Sequence, residues 1–189
     1  PCFGKGVDTV ANLFLRHFGN SGPLRTRNVF LNKVAGEDRT DEVVLDGRVI
    51  AVIRFELVRN DFSLELKAEG AALMARAARK GVIRARRPQG HLKGKKLDGA
   101  DVLEVQGEFR AGDPVVVVMG NNVAAGEARV DSGAVKESEK AIHLRDVCKA
   151  DIPFPLVPAD WNDFVKANQK HLRQLESSAV SDLRSFANN

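Results

Sequence analysis

The spacing of apolar residues predicts a helix near the start of the chain, followed by β-strands. Apolar side chains recur every three or four positions over residues 7–18, which is the repeat of an amphipathic helix. Two runs rich in apolar residues, 42–45 and 48–55, flank Asp46 and Gly47, a dipeptide that favours the type I′ turn of a β-hairpin. Two further strands are predicted by short apolar runs at residues 29–31 and 62–66.

The pattern changes at Gly81. Residues 69–80 are rich in alanine and contain no helix breaker, so they predict a helix that ends at this glycine. Beyond it, short apolar runs follow one another about ten residues apart, with glycine-containing turns between them, which is typical of a small β-barrel. Residues 115–118 are consecutive valines, as expected in a strand that is fully buried.

The last part of the chain predicts a linker and one long helix. Three prolines lie within residues 151–158, and a helical spacing of apolar residues resumes over residues 159–186. We therefore expect an α+β protein made of three parts. These are an α+β domain over residues 1–80, a small mixed β-barrel over residues 81–148, and a linker with a C-terminal helix over residues 149–189.

Composition narrows the class of protein. Apolar residues make up 43% of the chain, enough for a sizeable core. The two cysteines, Cys2 and Cys148, cannot form a zinc ribbon or a disulfide framework, which fits a reducing compartment. No run approaches the roughly 18 apolar residues of a membrane span. We expect a cytoplasmic protein with no membrane partner.

Charge is concentrated in one stretch, residues 76–97, which we call the basic segment. It contains nine lysines and arginines and no acidic residue. Because the net charge of the whole chain is +4, the rest of the chain carries −5. A basic block on an acidic body is typical of a polyanion binder, although a solvated basic loop is the alternative.

Residue types within and beside the basic segment favour RNA as the polyanion. Arginine grips phosphate with a planar fork, lysine acts as a mobile point charge, and glycines allow a close approach of the backbone. Aromatic residues are only 6% of the chain and include no tyrosine, so recognition of structured RNA by shape is favoured over base stacking. The candidate RNA-binding residues are Arg84, Arg86, Arg87, His91, Lys93, Gly94, Lys95, Lys96 and Gly99.

No catalytic or metal-binding constellation is evident. The four histidines lie on four predicted elements without ligand spacing. His17 and His171 are expected on helix surfaces, His143 exposed on a strand, and His91 facing phosphate. An acidic cluster near the hairpin fits turn residues better than a divalent-cation site; it consists of Asp38, Asp41, Glu42 and Asp46. We expect no catalysis, no cofactor and no metal within these residues.

Several motifs resemble a PUA domain, which is named for pseudouridine synthases and archaeosine transglycosylases. They are the Gly-Ala-Asp-Val-Leu strand at residues 99–103, the Gly-Asp turn into valines at 112–117, and Ala-Gly-Glu-Ala at 125–128. The resemblance covers residues 81–148. It implies a small RNA-binding barrel whose RNA-facing helix and loop include Lys93, Lys95 and Lys96. The chain has Glu104 and Val105 where PUA domains often have Pro-Gly, which places an acid where phosphate would approach.

The flanking segments resemble those of archaeal phosphoadenosine phosphosulfate reductase-like proteins. The matching motifs fall within residues 31–50 and 161–176. In that family the tail helix leads to a Ser-Gly-Gly-Lys-Asp-Ser loop that holds pyrophosphate, and this sequence has no such loop. The resemblance therefore implies that the catalytic half is missing, lost or carried by another chain, in which last case a nucleotide-binding catalytic domain or chain is a partner. It also makes the start at Pro1 understandable as part of a longer protein.

These patterns together predict an RNA-binding module for structured RNA, either transfer RNA or ribosomal RNA. It would be the targeting part of an RNA-modification or sulfur-transfer system. Two alternatives stay open. One is a structural protein of a ribonucleoprotein particle such as the ribosome. The other is the non-catalytic N-terminal part of a reductase-like or ATP pyrophosphatase enzyme.

Overall fold

The fold begins with the amphipathic helix that the apolar spacing predicts. A computed structural model of the chain describes residues 3–25, 29–34, 39–87, 92 and 94–150, with side chains from residue 6 onward. Helix α1, Phe3–Phe18, packs against the first strand of the fold. Its buried face repeats every three or four residues; it consists of Val10, Leu13, Phe14 and Phe18.

The first sheet has four antiparallel strands in sequence order. Asp46 and Gly47 join the second and third strands with φ angles of 48° and 79°, which confirms the predicted type I′ hairpin. A short helix, α2, Gly22–Arg25, precedes the sheet. The strands are β1, Val29–Lys33, β2, Thr40–Leu45, β3, Arg48–Glu56, and β4, Asp61–Leu66.

Helix α3, Ala68–Ala77, ends three residues before the predicted end at Lys80. The backbone N–H groups of Arg79 and Lys80 instead donate to the carbonyl oxygen of Phe18, at 2.8 and 3.2 Å. That oxygen lies at the end of α1, where helix carbonyls lack partners within their own helix. The helix prediction was therefore too long, because a bond to a distant part of the chain replaces the last helical turn.

A six-stranded second sheet curls into a half-barrel. Its order is β6-β10-β9-β8-β5-β7, and β5 pairs with β8 in parallel while the other pairs are antiparallel. Two short 3₁₀ helices, Gly99–Asp101 and Ser132–Glu137, lie between strands. The strands are β5, Val82–Ala85, β6, Lys96–Leu97, β7, Val102–Gln106, β8, Pro114–Met119, β9, Asn122–Ala128, and β10, Ile142–Lys149.

The valines of β8 connect two hydrophobic cores. Val116 packs with side chains of α1, α3 and the first sheet, whereas Val115 and Val117 pack inside the half-barrel. Successive residues of a strand face opposite sides, so a strand covered on both sides needs an unbroken apolar run. The mixed α+β fold with a small barrel is confirmed.

The predicted domain boundaries lie near residues 80 and 149. The boundary near residue 80 stays a prediction. Val82 of the second sheet packs in the same core as residues of the first sheet. The described residues all belong to one compact unit. The predicted C-terminal helix, and the predicted linker from residue 151 onward, lie outside the described residues.

Candidate nucleic-acid interface

The fold divides the basic segment into two groups at opposite ends of strand β5. Arg76, Arg79 and Lys80, which we call the junction group, precede the strand. Strand β5 has four residues and spans about 13 Å at about 3.3 Å per residue, and it separates Lys80 from Arg86 in the chain. The second group, which we call the basic surface, consists of Arg84, Arg86, Arg87, Lys95 and Lys96.

The junction group is tied to neighbouring parts of the protein. Nη2 of Arg76 donates to the carbonyl oxygen of Ala150 at 2.7 Å. The backbone of Arg79 donates to Phe18 and accepts a bond of 3.3 Å from the side chain of Gln106. These contacts give the first part of the basic segment a structural role.

The basic surface projects into solvent from a fixed backbone. Arg86 and Arg87 directly follow β5 and are exposed, and the N–H of Arg86 donates to the carbonyl oxygen of Asp101 at 2.8 Å. Lys96, also exposed, lies on β6, which pairs with β10. Because Asp101 follows Lys96 by five residues, the backbones of Arg86 and Lys96 are at most about 20 Å apart.

A tight turn holds the start of β6 in place. Gly94 has a φ of 75° and is exposed, and its N–H donates to the carbonyl oxygen of Leu144 at 2.7 Å. The N–H of Leu144 in turn donates to the carbonyl oxygen of Lys95 at 2.8 Å. These two backbone hydrogen bonds fix the position of the chain at Lys95, directly before β6. His91 and Lys93, two candidate RNA-binding residues, lie outside the described residues.

Arg84 has an acidic partner that lies outside the basic segment in the sequence. Strand β7 places Glu104 directly opposite Arg84, and Nε of Arg84 lies 3.3 Å from Oε2 of Glu104. The basic segment is therefore not free of acidic neighbours, because strand pairing brings one in from outside the segment. Both side chains are more than half exposed, at 55% and 60%, so the pair is weakly held.

Gly99 is buried, which corrects its expected place at the interface. A Cβ at this position would lie 2.1 Å from the carbonyl oxygen of Val135 and 2.8 Å from that of Ser138. Its N–H donates to the same Ser138 oxygen at 2.8 Å. The absence of a side chain lets the two 3₁₀ helices pack together, and it does not open the surface to RNA.

The side chain of His17 is largely covered, contrary to the expectation that it lies on a helix surface. Its side chain is 9% exposed, and Nδ1 lies 3.5 Å from Oδ1 of Asp113. Burial lowers the pKa of His17, while the nearby Asp113 carboxylate opposes that shift. The prediction was wrong because the end of α1 is covered by the turn that leads into β8.

The other histidines and the cysteines do not form a reactive cluster in the described part of the chain. His143 is partly buried, with Nδ1 3.1 Å from Nη2 of Arg129, and His171 lies outside the described residues. Burial raises the pKa of the Cys148 thiol to about 11, so this cysteine is a poor nucleophile. Among the described residues, no group of three or more His, Cys, Asp or Glu side chains could hold a metal ion.

A cleft of about 530 Å³ lies beside the junction group. Its charged lining includes Lys80, Arg110, Asp113 and Glu108. Side chains of both signs line it, and no residue of the basic surface is among them, so it does not extend the basic surface. None of the described helices is long and apolar enough to cross a membrane.

Solved structures have a similar fold. A PUA domain protein from Thermoplasma acidophilum matches with a TM-score of 0.52 at 15% sequence identity, over 84% of this chain and 92% of that one. The fold is PUA-like. The hypothetical protein PH0734.1 from Pyrococcus horikoshii matches this PUA-like chain with a TM-score of 0.50 and 16% identity, over 78% of this chain and 92% of that protein.

Two further matches extend beyond the PUA-like chain. AF0587, a protein of unknown function, matches with a TM-score of 0.51 and 18% identity, over 74% of this chain and 46% of that one. The uncharacterised protein MJ0066 of Methanocaldococcus jannaschii is 28% identical over 144 residues, which are 73% of this chain and 30% of that protein. No protein-family model matches the chain. The reductase-like part of the sequence resemblance stays a prediction.

Proposed function

We propose that this protein is an RNA-binding module that contacts structured RNA through the basic surface. The observation that carries the proposal is the position of Arg86, Arg87 and Lys96. Arg86 and Arg87 are exposed directly after β5, and Lys96 is exposed on β6, the next strand along the chain of a PUA-like barrel. Their side chains can contact phosphates at several neighbouring points.

The proposed contact set is smaller than the sequence suggests. Gly94, Lys95, His91 and Lys93 stay in it as proposals, since they adjoin the exposed cations in the chain. Gly99 leaves it because it is buried. Arg84 contributes less than Arg86, because Glu104 already partners its guanidinium.

The class of RNA follows from what the surface lacks. The described aromatic side chains are phenylalanines, and none of them lies in the basic surface. Without aromatic platforms, a cationic surface recognises the shape and phosphate positions of folded RNA rather than single stacked bases. Transfer RNA and ribosomal RNA helices are therefore the proposed ligands, in the cytoplasm.

The proposed role is to target a catalytic partner to RNA, in an RNA-modification or sulfur-transfer system. The chain itself is proposed to be non-catalytic. A relative supports this arrangement, since the segment that matches this chain makes up 30% of MJ0066. A second candidate, favoured by the same length difference, is the non-catalytic part of a larger reductase-like enzyme.

The test compares two triple variants of the full chain. Changing Arg86, Arg87 and Lys96 to Ala should weaken binding to unfractionated transfer RNA at least tenfold, or about 1.4 kcal/mol. The wild-type log–log salt slope should be about −3 to −5 if about four to six phosphates are neutralised, and the variant should have a shallower slope. Filter binding at several salt concentrations measures both quantities.

The control variant removes three exposed cations from other parts of the protein. They are Arg25, Lys33 and Lys149, each changed to Ala. Its affinity for transfer RNA should stay within about twofold of wild type. Equal losses in the two variants would contradict a localised interface. An absence of salt-sensitive binding by wild type would contradict the RNA proposal altogether.

A further inference from the structure

A line of paired residues leads from the basic surface across the second sheet. Lys96 of β6 lies opposite His143 of β10, which in turn lies opposite Glu127 of β9. Paired residues of neighbouring strands point to the same face, and strands are about 4.8 Å apart. Lys96 and Glu127 are therefore about 10 Å apart on one face.

Arg129 adds a second cation beside this line. Its Nη2 lies 3.1 Å from Nδ1 of His143, and its Nη1 lies 3.7 Å from Oε1 of Glu127. Its side chain is about half exposed. A polyanion on the basic surface that follows this line would meet Arg129 after Lys96.

The line ends at a cleft between the two sheets. The cleft has a volume of about 280 Å³, and Glu127 and Arg145 line its barrel side. Arg54 and Arg59, from β3 and the turn after it, line the opposite side. Arg145 is held by Glu127 and by Glu65, with 3.6 Å between its Nη1 and Oε2 of Glu65.

The positive charge lies along the line that leads to the cleft. The cleft itself is neutral, with Arg54, Arg59 and Arg145 against Glu56, Glu65 and Glu127. Lys96 and Arg129 add two positive charges on the line from the basic surface. Arg59 is exposed and has no ion-pair partner among the described residues. An unpaired arginine at the rim of a cleft is available to a ligand phosphate.

The turn that carries Arg59 also exposes two apolar side chains. Leu57 is 60% exposed and Val58 is fully exposed, at the tip of the β3–β4 hairpin. Together they place apolar surface at the rim of the cleft, next to Arg59. Apolar side chains are also used by nucleic-acid-binding proteins to contact unstacked bases.

We propose that the RNA path continues from Lys96 past Arg129 into the cleft between the sheets. There Arg59 contacts a phosphate, and Leu57 and Val58 contact an unpaired base or ribose. This second contact rests on the proposed function, since it extends the binding site of the same RNA. It makes the first sheet a part of the RNA-binding surface.

The experiment changes one charge on each edge of the first sheet. Arg59→Glu lies next to edge strand β4, and the matched control Lys33→Glu lies on the opposite edge strand β1. Arg59→Glu should weaken binding of the full chain to unfractionated transfer RNA about fivefold and make the salt slope shallower by about one unit. Lys33→Glu should change affinity less than twofold, and Arg59→Lys should restore most of the affinity.

The outcomes separate this proposal from the one on which it rests. If the Arg86, Arg87 and Lys96 variant loses affinity while Arg59→Glu binds as wild type does, the extended path is wrong and the RNA-binding role stands. Equal losses in Arg59→Glu and Lys33→Glu would also overturn it, because they would reflect only the general field. If a Leu57→Ser, Val58→Ser variant releases a bound protein in a pull-down and binds RNA normally, the tip is a protein contact and the proposal fails.

Discussion

The two ends of strand β5 carry the same kind of side chain and use it differently. At the start of the strand, Arg76 and the backbones of Arg79 and Lys80 bond to other parts of the protein. At its end, Arg86 and Arg87 are exposed and make no side-chain bond within the described residues. Arg76 bonds through its guanidinium, whereas Arg79 and Lys80 bond through their backbones and Arg79 is exposed. The run of positive charge in the sequence therefore does not show which cations the fold uses for its own contacts.

The glycines before β5 and before β6 also differ in what surrounds them. Gly81 and Gly94 have nearly the same backbone conformation, with φ angles of 70° and 75°. A Cβ at Gly81 would lie 2.9 Å from the carbonyl oxygen of His17, whereas one at Gly94 would meet nothing within 4 Å. The first glycine is needed for a close approach between elements, and the second only for its turn.

The largest expected effect is on stability, and it comes from adding a side chain at each of these two glycines. Gly94→Ala should cost about 1 kcal/mol, the usual penalty of a left-handed conformation for a residue with a Cβ. Gly81→Ala should cost about 2–4 kcal/mol, because the clash with His17 adds to that penalty. Urea unfolding followed by circular dichroism measures both variants. Similar losses of stability in the two variants would mean that the chain at Gly81 is no more tightly packed than the turn at Gly94.

Local signals in the sequence predict most of the elements correctly. The Asp46-Gly47 turn and the valines at 115–118 depend on neighbouring residues alone, since turn conformation and strand alternation are local properties. The mixed α+β fold with a barrel after Gly81 follows from the same spacing. These predictions held because the fold does not override the local preference at these positions.

The contacts of the site depend on distant residues, which no local pattern reveals. Glu104 meets Arg84 because β5 and β7 pair in that register, and the side chain of His17 on α1 lies against Asp113 from the turn before β8. Arg59 stands near Glu56 and Asp61 in the sequence, so it adds nothing to the local net charge and no local pattern marks it. Strand register and sheet packing decide which charges are cancelled and which are left exposed.

The second test concerns the pH dependence of stability at the start of β5. Burial holds the pKa of His17 below its ordinary value of 6.5 in the folded protein. The unfolded chain therefore takes up a proton at this histidine at higher pH than the folded chain does. The contribution of His17 to stability is therefore fully present above the pKa of 6.5 that it has in the unfolded chain. It is lost as the pH falls below 6.5 toward the lower pKa of the folded protein.

Urea unfolding between pH 8 and pH 5 measures this effect on wild type and on His17→Gln. The variant starts from a different stability, so the decline with pH is the quantity to compare. Its decline should be smaller than that of wild type, since glutamine does not titrate in this range. Identical declines would show that His17 does not contribute to the pH dependence of the protein's stability.

The smallest expected effect concerns the acidic neighbour at the other end of the strand. Glu104 lies 3.3 Å from Arg84, and both side chains are more than half exposed. Glu104→Gln should change stability by at most about 0.5 kcal/mol, because exposed ion pairs contribute little. It should strengthen binding to transfer RNA about twofold, since it frees the Arg84 guanidinium and removes a negative charge beside the phosphates. If Arg84 then neutralises one more phosphate, the salt slope becomes steeper by about 0.9.

The control is Glu108→Gln, which removes an exposed acid at the cleft beside the junction group and should leave affinity for transfer RNA unchanged. An equal gain in both variants would indicate a general change in net charge, and no gain in Glu104→Gln would place Arg84 outside the interface.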